Sequence, residues 1–148
     1  MSILIFETNL SILNNDLSKI VHSTYIGGKG SAGGVVKLND GRYFISGYAF
    51  GDIKLVNGNN NYKYHGGESD GFFTVFDSDL SNCQFFGYID GAARDAADGH
   101  ILLNNGNVLM FGTTESEIFY GGSSSSSWGK CKNNDVFIKI INPKSFMK

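Results

Sequence analysis

The chain has 148 residues, 18% of them charged, and a formal net charge of −2. A balance this close to neutral carries no electrostatic footprint for nucleic acid or for an anionic membrane surface, so neither is expected as a partner. Twenty glycines, an aromatic content of 14% and a single proline describe short strands joined by tight turns around one core, rather than a helical or a disordered chain.

In chain order, residues 1–10 carry Glu7 and no basic run, and their apolar positions alternate, so no signal peptide is expected. No apolar run approaches the roughly 20 residues that cross a bilayer as a helix, and a soluble chain is expected. A strand is predicted over 2–8. The stretch Leu10 to Val21 has weak helical character, but Asn14, Asn15 and Asp16 favour a turn leading to a second strand over 19–26. The glycines of Gly27–Gly34, with Lys29 and Ser31, lack the spacing and the following helix of a phosphate loop. Strands over 34–39 and 42–49 flank Asp40-Gly41, a dipeptide suited to a two-residue type I′ turn. Strands over 72–77 and 83–89 follow. The small residues of Gly91–Gly99 read as a solvated turn holding an Arg94 and Asp95 charge pair. Strands are then predicted over 99–104, begun near His100, and over 107–113 and 136–142, the last after a loop containing Ser123–Ser127 and Trp128.

Self-similarity organises these elements. Val36–Gly47 (VKLNDGRYFISG) lies on Ile101–Gly112 (ILLNNGNVLMFG), and Asp70–Asp77 (DGFFTVFD) on Asp135–Asn142 (DVFIKIIN), both at an offset of 65 residues. Tyr25–Gly28 (YIGG) matches Tyr88–Gly91 (YIDG), and Ile5–Ser11 (IFETNLS) resembles Val75–Ser81 (VFDSDLS) at an offset of 70. The expected organisation is a single β-repeat domain over 1–148. It holds an N-terminal partial unit (1–28), a complete four-stranded unit (33–90) and a C-terminal partial unit (96–142).

Ser23–Gly28 (STYIGG), Gly66–Phe73 (GGESDGFF) and Asn105–Thr113 (NGNVLMFGT) resemble the β-propeller repeats of bacterial surface and secreted proteins, the SBBP type. Kelch-like propellers are a weaker match, sharing the Gly-Gly and strand rhythm without the patterned Tyr and Trp. The resemblance implies an all-β fold of antiparallel propeller-like units, about two blades per chain, whose function resides in loops and surfaces. A small self-closed sandwich or barrel is the alternative. Two blades cannot close a ring, so head-to-tail association of copies through free sheet edges is expected.

Little in the chain suggests chemistry. Cys83 and Cys131 permit at most one disulfide and match no zinc or redox spacing. His22, His65 and His100 fall in different units, so neither a metal site nor a cofactor is expected. Asp70, Asp77 and Asp79 sit at repeated or turn positions suited to bonding local backbone, and no acid/base pair for an enzyme assembles. The ligand-binding candidates are loop residues: Tyr62, Tyr64 and His65 before Gly66-Gly67, Phe119 and Tyr120 before Gly121-Gly122, and Trp128. The leading expectation is a non-enzymatic structural or interaction module that forms a homo-oligomer or larger assembly, with a virion or extracellular surface as a compatible setting. A lectin-type module binding glycans is the alternative.

Overall fold

The computed structural model describes residues 2–6 by their backbone, and residues 9–55, 63–89, 91–116 and 134–146 in full. These fold into three antiparallel sheets. The N-terminal sheet consists of β1 (Ser2–Phe6), β2 (Asn9–Leu13) and β3 (Ile20–Tyr25). The central sheet is a four-stranded meander of β4 (Gly30–Lys37), β5 (Tyr43–Ala49), β6 (Asp70–Phe76) and β7 (Cys83–Ile89). The C-terminal sheet consists of β8 (Asp95–Leu102), β9 (Val108–Thr114) and β10 (Asp135–Ile141), followed by a 3₁₀ turn over Pro143–Phe146. No α-helix occurs among the described residues. No helix there is long and apolar enough to cross a membrane.

The central sheet is covered on both faces, which explains why every residue of β6 is buried and why β6 reads as an almost unbroken apolar run. Strand alternation sends Tyr43, Ile45, Phe72, Phe76, Phe86 and Tyr88 to one face, where they form a core with Leu10 and Ile12 of β2. Phe44, Phe73, Val75 and Ile89 point the other way and pack with Val108, Met110 and Ile141 of the C-terminal sheet. Rings stack within each face, Phe72 on Phe86 at 5.5 Å and Phe44 on Phe73 at 5.5 Å between centroids.

The 65-residue offset holds strand by strand. β4, β5 and β6 fall on β8, β9 and β10 with equal lengths, and the pairing of β4 with β5 slips between Ala32 and Gly34 where that of β8 with β9 slips between Ala96 and Gly99. The glycines at the common position, Gly47 and Gly112, admit no side chain: a Cβ would run into the carbonyl oxygen of Ser31 in one copy and of Ala96 in the other.

Several expectations are corrected. The strand predicted over 2–8 ends at Phe6, and a separate strand, β2, follows it inside the stretch with weak helical character. The N-terminal unit therefore aligns on the central sheet at an offset of 63, not 70. Leu17 and Leu80, both left-handed with φ of 62°, close matching β2–β3 and β6–β7 turns. Asn14 and Asp77 accept the same bonds, from the amides of Lys19 and Asn82 to their side chains and from those of Leu17 and Leu80 to their carbonyls. The pairing slip between Ile12 and Leu13 likewise repeats between Val75 and Phe76.

The β4–β5 turn is not type I′. The Gly41 amide donates to the Leu38 carbonyl at 3.0 Å and the Leu38 amide to that of Arg42 at 2.8 Å, and within this turn only Gly41 has positive φ, at 91°. This is the three-residue loop with a left-handed third residue, and Leu103–Asn107 repeats it with Gly106. Finally, β4 begins inside the glycine stretch at Gly30, and β8 begins at Asp95, inside the stretch expected to be a solvated turn.

Candidate interaction surface and polar clusters

The described candidates from the loops split between framework and surface. Tyr64 is half-buried against the core shared by the N-terminal and central sheets, edge-on to Tyr88 at 6.0 Å. Its hydroxyl donates to the Gly67 carbonyl at 3.0 Å and its amide to Asp52 at 3.2 Å, so the ring braces its own loop. Burial, followed by the charges of Asp70, Asp95 and Glu68, pushes its phenol upward. His65 is exposed, and its amide donates to the buried Asp70 carboxylate at 2.9 Å. Tyr62, Phe119, Tyr120, Trp128, Ser123–Ser127 and Cys131 lie outside the described residues.

The acidic residues serve the backbone. Asp77 accepts from the Asn82 amide and the Ser81 hydroxyl, and Asp79 from the Ser81 amide. Asp95 departs from the sequence reading. It makes no charge pair with Arg94, which lies just before β8 and is exposed. Its carboxylate is instead buried and accepts from the hydroxyls of Thr114 and Ser116, the latter at 2.9 Å, and from the Gly91 amide at 2.6 Å. Its backbone exchanges bonds with Ser69, amide to carbonyl at 2.7 Å and hydroxyl to carbonyl at 3.1 Å, tying the start of β8 to the residue before β6. Burial raises the carboxyl against the opposing effect of these donors.

Two other groups lie in the core. Cys83 is a buried free thiol beside the Thr74 hydroxyl at 3.1 Å, pushed up to about 11 by burial. His100 sits well inside β8 rather than at its start, between the central and C-terminal sheets. It shares a 2.7 Å hydrogen bond with the Ser46 hydroxyl and stands edge-on to Phe44 at 5.0 Å. Burial pulls its imidazole down to about 4. No group of three or more His, Cys, Asp or Glu that could hold a metal ion comes together among the described residues.

Along one side of the stack the β4–β5 turn, the β8–β9 turn and the 3₁₀ turn enclose a shallow cleft of about 290 Å³. Its buried guanidinium is already engaged. Arg42 donates to Asp40 at 2.7 and 3.0 Å, to the Gln84 side chain at 3.2 Å and to the Pro143 carbonyl at 3.1 Å, and in return holds the Asp40 carboxyl below its usual range. Arg42 thus acts as a brace between turns and offers no free arm to a ligand.

Among the described residues, several of the most exposed apolar side chains gather on one sheet face. On β10 the residues Val136, Ile138 and Ile140 are 74%, 69% and 61% exposed, and Phe111 of β9 and Ile101 of β8 continue the patch. The register places Ile138 opposite Phe111, and Ile140 opposite Leu109, on the same face. The sequence implies an exposed apolar flank on a partial propeller without placing it, although DVFIKII carries the signal. A strand apolar on both of its faces is built to be covered twice, and β10 is covered once.

No protein-family model, no curated protein and no solved structure matches this chain.

Proposed function

We propose that the chain is a non-catalytic structural module whose three sheets are propeller-type blades, and that it works by assembling with further copies of itself into a larger particle. One observation carries this reading: a contiguous apolar face of Ile101, Phe111, Val136, Ile138 and Ile140 open on the C-terminal sheet. Contiguous exposed apolar patches of that kind mark association sites. The buried carboxylate and thiol and the half-buried imidazole each have structural partners, which is consistent with a scaffold.

The propeller reading is supported by the sequential four-stranded meander, the face-to-face stacking of successive sheets and the 65-residue repeat. Light scattering on the purified chain across a range of concentration tests the assembly. A mass above that of one chain, rising with concentration to a defined multiple, is the expected result. A single-chain mass at the highest attainable concentration would overturn the proposal.

A further inference from the structure

The proposed assembly leaves open which surface meets which, and the internal repeat answers this. At the 65-residue offset, the open positions Ile101, Leu109, Ile138 and Ile140 fall on Val36, Phe44, Phe73 and Val75 of the central sheet. Those four residues form the face that packs on the C-terminal sheet. The open face is therefore of the same kind as one already covered within the chain, and what covers that kind is the opposite face of the next sheet. At the other end of the stack, the offset of 63 places Tyr25 on Tyr88. Tyr88 is 6% exposed within the core that the central sheet shares with the N-terminal sheet, whereas Tyr25 is 62% exposed on the outer face of β3. The two free faces are thus the two complementary kinds that pack together at both internal junctions.

We infer that, given this assembly, the open face of the C-terminal sheet docks on the outer face of the N-terminal sheet of a second copy, head to tail. Departures from the repeat favour this pairing. Phe111 replaces Ser46 and Val136 replaces Gly71, adding bulk to the open face. On the outer face of the N-terminal sheet Asn9 stands for Phe72, Ser11 for Thr74 and Ser23 for Phe86, removing bulk. A Cβ at Gly71 would lie 2.9 Å from the Ile89 carbonyl oxygen of β7 and 3.0 Å from the Ala97 amide nitrogen of β8, whereas β10 is the edge strand of its sheet. The described strands of the N-terminal sheet correspond to β5, β6 and β7, with no counterpart of β8, so Val136 meets no such strand in this pairing. On that face Ser11 is already buried and bonds Asn9 and Ser23 at 2.9 Å each, so covering it strands no hydroxyl.

A head-to-tail contact is heterologous and has a signature that a symmetric contact lacks. Ile138→Lys spoils only the C-terminal face and Tyr25→Lys only the N-terminal face. Both side chains are exposed in the single chain, so both variants should fold, checked by circular dichroism and urea titration. Ile138→Ser and Tyr25→Ser are milder substitutes at the same positions. Each variant alone is expected to lose self-association by about 100-fold or more, as a lysine is forced into an apolar contact. An equimolar mixture is expected to regain association as a dimer of one copy of each that grows no further. If Tyr25→Lys associates like the unmodified chain while Ile138→Lys does not, the open face pairs with itself and this inference fails while the assembly reading stands. An unmodified chain that never associates defeats both.

Discussion

His100 places a titratable ring where two sheets meet, and its consequence for stability can be worked out in advance. The ring is held between Ser46 and Phe44 and is pulled from 6.5 to about 4 by burial. The folded state therefore needs the neutral imidazole, while the unfolded chain takes up a proton freely below pH 6.5. The stabilisation is complete above that pH and is lost as pH falls towards 4. A displacement of this size corresponds to about 3 kcal/mol at full expression, and partial hydration of the half-buried ring reduces it to about 2 kcal/mol between pH 7 and pH 4.5. The assay is urea unfolding at a series of pH values for the unmodified chain and for His100→Phe. Carboxylates contribute equally to both curves, so the difference isolates the imidazole. The two stabilities should converge by about 2 kcal/mol as pH falls. Parallel curves over that range would refute the placement of a neutral His100 between the sheets.

Other positions give independent checks. With its thiol at about 11, Cys83 should react with iodoacetamide at pH 8 about 100-fold more slowly than a free thiol, as read from its peptide by mass spectrometry; labelling at the free rate would contradict its burial. Gly47→Ala and Gly112→Ala should each cost more than about 3 kcal/mol in urea unfolding because backbone blocks the new Cβ. Gly41→Ala, strained in φ but with only the Ser78 Cβ nearby at 3.8 Å, should cost about 1 kcal/mol. Equal losses at all three glycines would undo the distinction. Leu17→Asn, at an exposed left-handed position, should stabilise by about 0.5 kcal/mol, whereas Leu80→Asn, buried at the matching position, should destabilise by about 2 kcal/mol.

What was legible in the sequence follows from how a meander repeats. Turn chemistry and the 65-residue offset were strong enough to place the central sheet and its C-terminal copy to within a few residues, because Asp40-Gly41 and Asn105-Gly106 punctuate otherwise apolar runs. The N-terminal unit was misaligned by one strand because neighbouring strands of a meander are alike in composition. IFETNLS matches VFDSDLS residue by residue even though it spans the end of one strand and the start of the next. The discriminating feature is the turn, where Asp16-Leu17-Ser18 and Asp79-Leu80-Ser81 share the same left-handed leucine and the same bond from the serine amide to the aspartate. Asp95 was misread for a related reason. A carboxylate among alanines and glycines looks solvated until the fold brings Thr114, Ser116 and the Gly91 amide to it from residues 4 to 21 positions away.

The polar and apolar parts of the core divide the work of building the stack. Apolar faces attract without fixing a lateral position, because hydrophobic burial is non-directional. Directional bonds supply the position: Asp95 and Ser69 lock the start of β8 to β6, and His100 with Ser46 locks its middle to β5. The central sheet has Gly30 and Ala49 where the C-terminal sheet has Asp95 and Thr114, and Val35 where it has His100, so neither the carboxylate cluster nor the imidazole is repeated in it. The open C-terminal face is mainly aliphatic and aromatic, with Phe111 at the position of Ser46 and Thr113, opposite Val136, as its hydroxyl on β9. A contact made there would rest mainly on shape and burial, and would be sensitive to a single charge. That is why one lysine at Ile138 is a sufficient probe of the proposed contact.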